Sequence, residues 1–203
     1  MLPLRKKAAH FHFLFVLDII PHPMAYLSRE EGFEDLKPHE IIETLKWALP
    51  NSFSTSFLYY IDAAKIKLSN HKKDLTIEID VSEFRLNDQE TWSKWISSYP
   101  LNAENFNGPE APARTFLLTV LMECLIEQIE VLDDGSLIFQ FEKGYKVRFE
   151  GDDIPLCDHS WSIEIFDTRK GIKIAGIMCT GNVIYGSASD GLAHMMVKDV
   201  RNP

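Results

Sequence analysis

Residues 129–150, IEVLDDGSLIFQFEKGYKVRFE, decide the fold class that we predict for this chain. Apolar and polar side chains alternate along them, which is typical of strands in an antiparallel sheet with one buried face and one face in water. Asp133-Asp134-Gly135 and Lys143-Gly144 interrupt the alternation with residues that favour tight turns. The stretch therefore predicts three antiparallel strands that follow one another as two hairpins.

The same alternation recurs on both sides of this stretch and predicts further strands. The predicted strands 66–68 and 75–81 are expected to pair across a turn at 70–74. Regularly spaced glycines in the tail are interpreted as turns and bulges of another meander. The further predicted strands are 10–19, 66–68, 75–81, 161–166, 172–178, 183–188 and 192–197.

Apolar residues at helical spacing predict helices in the remaining segments. The predicted helices are 38–49, about 52–65, a short helix that starts after Asn87 and carries Trp92 and Trp95, and a buried helix at 115–126. Residues 52–65 also suit a strand. We therefore expect an α+β fold, with a largely antiparallel sheet of seven to nine strands, mainly in the C-terminal half, packed with two to four helices.

We expect residues 1–203 to form a single compact unit. A subdivision is also open, with a mixed α/β half at 1–98, a linker rich in Pro, Gly and Asn at 99–113, and a mainly antiparallel half at 114–203.

The composition is that of an ordinary globular protein, with 45% hydrophobic and 25% charged residues in 203. The formal net charge of -9 argues against direct binding of nucleic acid or of an anionic membrane, both of which require clustered Lys and Arg. Three cysteines, Cys124, Cys157 and Cys179, predict no disulfide framework and favour a reducing cytoplasm. The apolar N-terminal stretch is interrupted by polar residues, so it predicts a first strand and not a signal peptide.

The excess acid is concentrated in one segment. Residues 123–167 hold twelve acidic side chains and three basic ones, whereas the rest of the chain is balanced. On the alternation above, several of these acids share the polar face of the predicted sheet and others lie in its turns. The candidate partner-binding residues are Glu130, Asp133, Asp134, Glu142, Glu150, Asp152, Asp153 and Glu164.

No catalytic signature is found, and no cofactor is expected. Ser187–Gly191 resembles a nucleophile elbow but lacks its first glycine and has His194 too close behind it. Cys157 and His159 stand two residues apart, which is a poor geometry for a nucleophile and its base. His10 and His12 are the alternative site, because alternate residues of a strand point the same way and both imidazoles could approach one metal.

These observations favour a protein-binding module without catalysis. The specific hypothesis is a cytoplasmic immunity or antitoxin-type inhibitor that binds a basic toxin, such as a nuclease, through the acidic sheet region. The alternative is a metal-dependent enzyme or small-molecule binder with a site near His10 and His12. A third interpretation is a subunit of a homo-oligomer, since the sequence leaves the oligomeric state open.

Overall fold

A computed structural model describes residues 32–60, 63–98, 110–122, 124–151 and 159–201, which contain four α-helices and eleven strands. The helices are α1 (Pro38–Ala48), α2 (Gln89–Ser98), α3 (Glu110–Leu121) and α4 (Asp190–Arg201). The strands are β1 (Phe33–Asp35), β2 (Phe53–Tyr60), β3 (Ala63–Asn70), β4 (Leu75–Val81), β5 (Phe84–Leu86), β6 (Ile126–Val131), β7 (Leu137–Phe141), β8 (Lys146–Phe149), β9 (Trp161–Asp167), β10 (Ile172–Thr180) and β11 (Val183–Ser189). The α+β class is confirmed.

The strands form two antiparallel sheets where a single larger sheet was expected. One sheet has seven strands in the order β1-β11-β10-β9-β4-β3-β2, and the other has four in the order β5-β8-β7-β6. The two hairpins predicted from residues 129–150 are present as β6-β7 and β7-β8. The predicted pairing of 66–68 with 75–81 is confirmed as β3-β4.

The apolar faces of the two sheets enclose a common core. Ile66 and Ile79 of the large sheet and Phe139 of the small sheet line one internal cavity, together with Leu118 of α3. The cavity has a volume of about 20 Å³ and an almost wholly apolar lining, so it holds at most about one water molecule. It is a packing defect and not a binding site for an organic ligand.

The helix predicted at 38–49 is confirmed as α1. Pro38 occupies its first turn, where a missing N–H costs nothing, and Leu45 is fully buried. The short helix with two tryptophans is confirmed as α2, but the residue that caps its first turn is Asp88, whose carboxylate accepts a hydrogen bond from the Thr91 amide at 2.8 Å.

The prediction of a helix over 52–65 is wrong, because residues 53–60 belong to β2 and residues 63–65 begin β3. Their apolar residues fit either period, but Thr, Phe and Tyr supply five of the eight residues of β2 and favour an extended backbone. Pairing with β3 then places Phe57 beside Ile66 on the core face of the sheet.

The third strand of the predicted tail meander, 192–197, is also wrong, because the segment lies in α4. Leu192, Met195 and Met196 follow a helical spacing, with Leu192 buried and both methionines packed against the core. The other two tail strands are confirmed as β10 and β11.

The helix predicted at 115–126 starts and ends earlier, as α3. Its first residues, from Glu110, overlap the end of the predicted linker, and residues 99–109 lie outside the described part of the chain. Ile126 instead exchanges backbone hydrogen bonds with Asn51 and Ser52, at 2.7 and 2.8 Å, and this pairing draws it into β6. The predicted strand 10–19 lies outside the described residues.

Candidate functional site

Four acidic side chains line the outer strand and the turns of the small sheet, and we call them the acidic edge: Glu127, Glu130, Asp133 and Glu142. Glu127 and Glu130 are exposed on β6, Asp133 is exposed in the β6-β7 turn, and Glu142 is half-buried just after β7. Within the described residues, none of the four forms an ion pair with a cationic side chain. Their charge is therefore not compensated inside that part of the protein.

The sheet itself fixes the position of the acidic edge. Ile129 and Phe139 are buried and pair directly, so Glu130, one position along β6, points to the solvent face. The amide of Glu142 donates to the Leu125 carbonyl at 2.9 Å, and this bond closes the other end of the hairpin. The paired backbone therefore fixes the points from which these side chains project.

Two other predicted acids, Asp134 and Glu150, are paired with arginines. The Arg148 side chain donates to Glu150 at 2.7 Å, to Asp134 at 2.5 Å and to the Ser136 hydroxyl at 3.0 Å. Arg85 of β5 donates to the second oxygen of Glu150 at 2.6 Å. These carboxylates are neutralised within the protein and tie β5, β8 and the β6-β7 turn together.

The pKa values of this cluster have the directions that the pairing dictates. Burial by itself raises the pKa of Asp134, but hydrogen bonds from Ser136 and the nearby Arg148 outweigh it and hold that pKa below its ordinary value. Burial by itself lowers the pKa of Arg148, and the carboxylates of Glu150 and Asp134 overcome it and raise that pKa. The charged forms are therefore the stable ones.

Gly151 joins the arginine cluster to the large sheet. Its amide donates to the Ser136 hydroxyl at 3.0 Å, and its carbonyl accepts from the Ser160 hydroxyl at 3.1 Å. The Trp161 indole donates to the Gly135 carbonyl at 2.9 Å. These bonds are buried, so the turn that carries Asp133 is anchored on both sheets.

Glu164 belongs to a different surface, because it lies on β9 of the large sheet. It stands directly opposite Glu78 of β4, which would be unfavourable for two uncompensated carboxylates. Each has its own lysine, with Lys173 at 2.9 Å from Glu164 and Lys67 at 3.3 Å from Glu78. On this face of the large sheet, each of the two carboxylates is thus compensated by a lysine.

The remaining predicted site residues, Asp152, Asp153, His10 and His12, lie outside the described residues. No group of three or more His, Cys, Asp or Glu in the described ranges is arranged to hold a metal ion. In the same ranges, no helix has the length and apolarity required to cross a membrane.

The nucleophile-elbow candidate does lie where a strand runs into a helix, at the junction of β11 and α4. Its geometry is nevertheless not that of an activated serine. The Ser189 hydroxyl donates to the Ile174 carbonyl at 3.4 Å, and the exposed His194 forms no hydrogen bond with it. Trp92 is buried and Trp95 packs edge-on against Phe116 at 5.5 Å, so the tryptophan pair anchors α2.

Arg85 and Arg148 were not identified as site residues from the sequence. Their ion pairs distinguish Asp134 and Glu150, which are neutralised, from the residues of the acidic edge, which are not neutralised in the described part of the chain. A signal for Arg148 exists, because the alternation of β8 places it on the same face as Glu150, two residues on. No local pattern indicates Arg85, which is 65 residues away from Glu150 along the chain.

Comparison of the chain with protein-family models, with curated proteins and with solved structures finds no match.

Proposed function

We propose that this protein is a non-catalytic binding module, a cytoplasmic inhibitor of the immunity or antitoxin type that binds a basic toxin domain. The observation that supports the proposal is the acidic edge, whose four carboxylates have no cationic partner among the described residues, next to the paired Asp134 and Glu150. A basic partner would supply the missing cations.

The chemistry of a basic toxin explains why such an edge would inhibit it. A nuclease binds its substrate through Lys and Arg side chains that contact phosphates. Carboxylates on a rigid strand offer the same cations a competing set of oxygen ligands. Each exposed ion pair stabilises a complex by only about 0.2–1 kcal/mol, but the summed field accelerates association by roughly 10–1,000-fold.

The paired acids have a different role in this proposal. Asp134 and Glu150 are engaged with Arg148 and Arg85, so they shape the turn and the sheet that present the acidic edge. Of the residues selected from the sequence, Glu130, Asp133 and Glu142 are the ones that we expect to contact the partner directly, and Glu127 joins them.

Co-purification from the native host tests the proposal. The wild-type chain should retain a basic protein at low salt and lose it at high salt. A triple variant E127Q/E130Q/E142Q should retain much less of it, whereas the matched variant E34Q/E43Q/E90Q, with the same net charge and changes at exposed sites elsewhere, should behave like the wild type. Equal recovery by the two variants would contradict the assignment of the surface.

A second experiment tests inhibition. The recovered partner, produced alone in a heterologous host, should arrest growth, and co-production of the wild-type chain should relieve the arrest. The E127Q/E130Q/E142Q variant should relieve it less well than E34Q/E43Q/E90Q. A partner that is harmless when produced alone would overturn the immunity function.

A further inference from the structure

The described residues contain four sheet edges, and three of them carry features that discourage pairing with another strand. β1 and β5 are only three residues long and contain Glu34 and Arg85, respectively, while β6 carries Glu127 and Glu130. Short edge strands and charged side chains are the usual protection against edge-to-edge association. The fourth edge, β2, spans eight residues, FSTSFLYY, without a charge or a proline.

Part of β2 is covered and part is open. Phe53 and Ser54 form isolated bridges with Leu125 and Met122, so the start of the strand has neighbours on its outer side. From Thr55 onward, no strand among the described residues pairs with that side. Leu58, in the middle of this part, is 61% exposed on the face opposite the core.

We infer that β2 pairs with β2 of a second copy of this chain, antiparallel and about a two-fold axis at Leu58. In an antiparallel pair, residues directly opposite each other lie on the same face of the sheet. Alternate residues of a strand share a face, so when a strand pairs with itself, an even-numbered residue must lie opposite an even-numbered one and an odd-numbered residue opposite an odd-numbered one. An axis at Leu58 sets Leu58 opposite its equivalent and Phe57 opposite Tyr59 of the other copy. The two exposed leucines then pack side by side, and the aromatic residues meet on the core side.

A second copy fits this edge because it presents a strand of the same uncharged character. Two-fold pairing of one strand is self-complementary by construction. The net charge of the chain does not oppose the contact locally, because the neighbouring Lys65 and Lys67 are balanced by Asp80 at 3.7 Å and Glu78 at 3.3 Å. The excess acid lies in the 123–167 segment.

The full chain in solution tests the inference, with its mass measured by light scattering after size exclusion from micromolar to submillimolar concentration. The expected mass is twice 23.3 kDa at the upper end of the series. Leu58→Lys should raise the dissociation constant of the dimer by about 100-fold, because it removes two apolar contacts and opposes two like charges. The control Val183→Lys changes a 49% exposed residue at the edge of another hairpin and should leave the dimer intact.

Cross-linking tests the register. In a Cys157→Ser background, Leu58→Cys should be joined to its equivalent by a short bismaleimide, whereas Val183→Cys should not. A monomer at every concentration would overturn the inference, and so would a dimer that Leu58→Lys leaves unchanged. A dimer without the Leu58→Cys cross-link would refute the two-fold axis at this residue.

Discussion

The guanidinium group of Arg148 donates to the carboxylate of Glu150 at 2.7 Å, and the two side chains are only 22% and 14% exposed. A charge-assisted hydrogen bond in so sheltered a position is stronger than a surface ion pair, and the loss of one partner leaves the other charge poorly solvated. The same guanidinium group reaches Asp134 in the β6-β7 turn. Arg148 thus holds together the frame from which the acidic edge projects.

Replacement of Arg148 by Met should lower the free energy of unfolding by about 2 kcal/mol, because two carboxylates lose their main partner while Arg85 still pairs with Glu150. Urea denaturation measures the change. The control is Lys94→Met, since Lys94 is 70% exposed and pairs with the exposed Glu90 at 2.7 Å, and it should cost less than about 0.5 kcal/mol. Equal losses of stability in the two variants would contradict the claim that Arg148 stabilises the sheet and turn that carry the acidic edge.

The lowered pKa of Asp134 predicts a specific pH dependence. A carboxylate whose folded-state pKa lies below its unfolded value stabilises the protein above the ordinary pKa of about 4, and this stabilisation is lost as the pH falls through the folded-state pKa. Asp134→Asn should therefore be less stable than the wild type at pH 7, and the difference should shrink in acid. Chemical denaturation at a series of pH values gives the two curves, and a difference independent of pH would refute this linkage.

Gly151→Ala should be strongly destabilising, by about 3 kcal/mol or more, because the new methyl group would overlap backbone atoms. An added Cβ would lie 2.3 Å from the Asp134 carbonyl oxygen and 2.5 Å from the Gly135 carbonyl carbon. The matched control is Gly176→Ala, whose Cβ would meet only the flexible end of Lys173, at 3.1 Å. Thermal unfolding should show a large loss of stability for Gly151→Ala and a small change for Gly176→Ala. Similar losses would mean that the backbone of the turn shifts to accommodate the methyl group.

Asp199 of α4 is expected to fasten the C-terminal helix to the rest of the fold. Its carboxylate accepts from the Trp47 indole at 2.9 Å and lies 3.6 Å from the ammonium group of Lys73. Burial lowers the pKa of Lys73 and the charge of Asp199 opposes that shift, so removing the carboxylate leaves the lysine less favourably placed. Asp199→Ala should therefore cost about 1–2 kcal/mol in denaturation experiments.

The control for Asp199 is Glu90→Ala, which breaks the exposed pair of Glu90 and Lys94 at 2.7 Å. That pair joins residues of one helix in open solvent, so its loss should cost less than about 0.5 kcal/mol. If Asp199→Ala cost no more than this control, α4 would not be held by the carboxylate.

Local periodicity predicted the elements whose alternation and turn residues agree. The hairpins of residues 129–150 and the β3-β4 pair depend on alternation and turns close together in sequence, and both are confirmed. The segments 52–65 and 192–197 failed for opposite reasons. In 52–65 the apolar residues fit both a helix and a strand, and pairing with a neighbouring strand decided between the two. In 192–197 the evenly spaced glycines suggested a further strand, although Leu192, Met195 and Met196 follow a helical spacing.

The division into two sheets could not be predicted from alternation, which says which side chains share a face but not which strands pair. Trp161 follows the small-sheet strands in sequence, yet β9 pairs with β4 and β10 of the large sheet. For the same reason, Glu164 and Glu130 were predicted to lie on the polar face of one sheet, whereas they belong to different sheets. The ion pair of Arg85 with Glu150 joins distant segments, so only the folded chain shows which acids are neutralised.

The association rate of the purified partner, measured by stopped flow at several ionic strengths, tests the central claim most directly. If the acidic edge is the binding surface, the wild-type rate constant should fall by about tenfold or more from low to high salt. The E127Q/E130Q/E142Q variant should associate more slowly and with a flatter salt dependence, while E34Q/E43Q/E90Q follows the wild type. Identical rates and salt slopes for the two triple variants would contradict the claim that the acidic edge binds a basic protein.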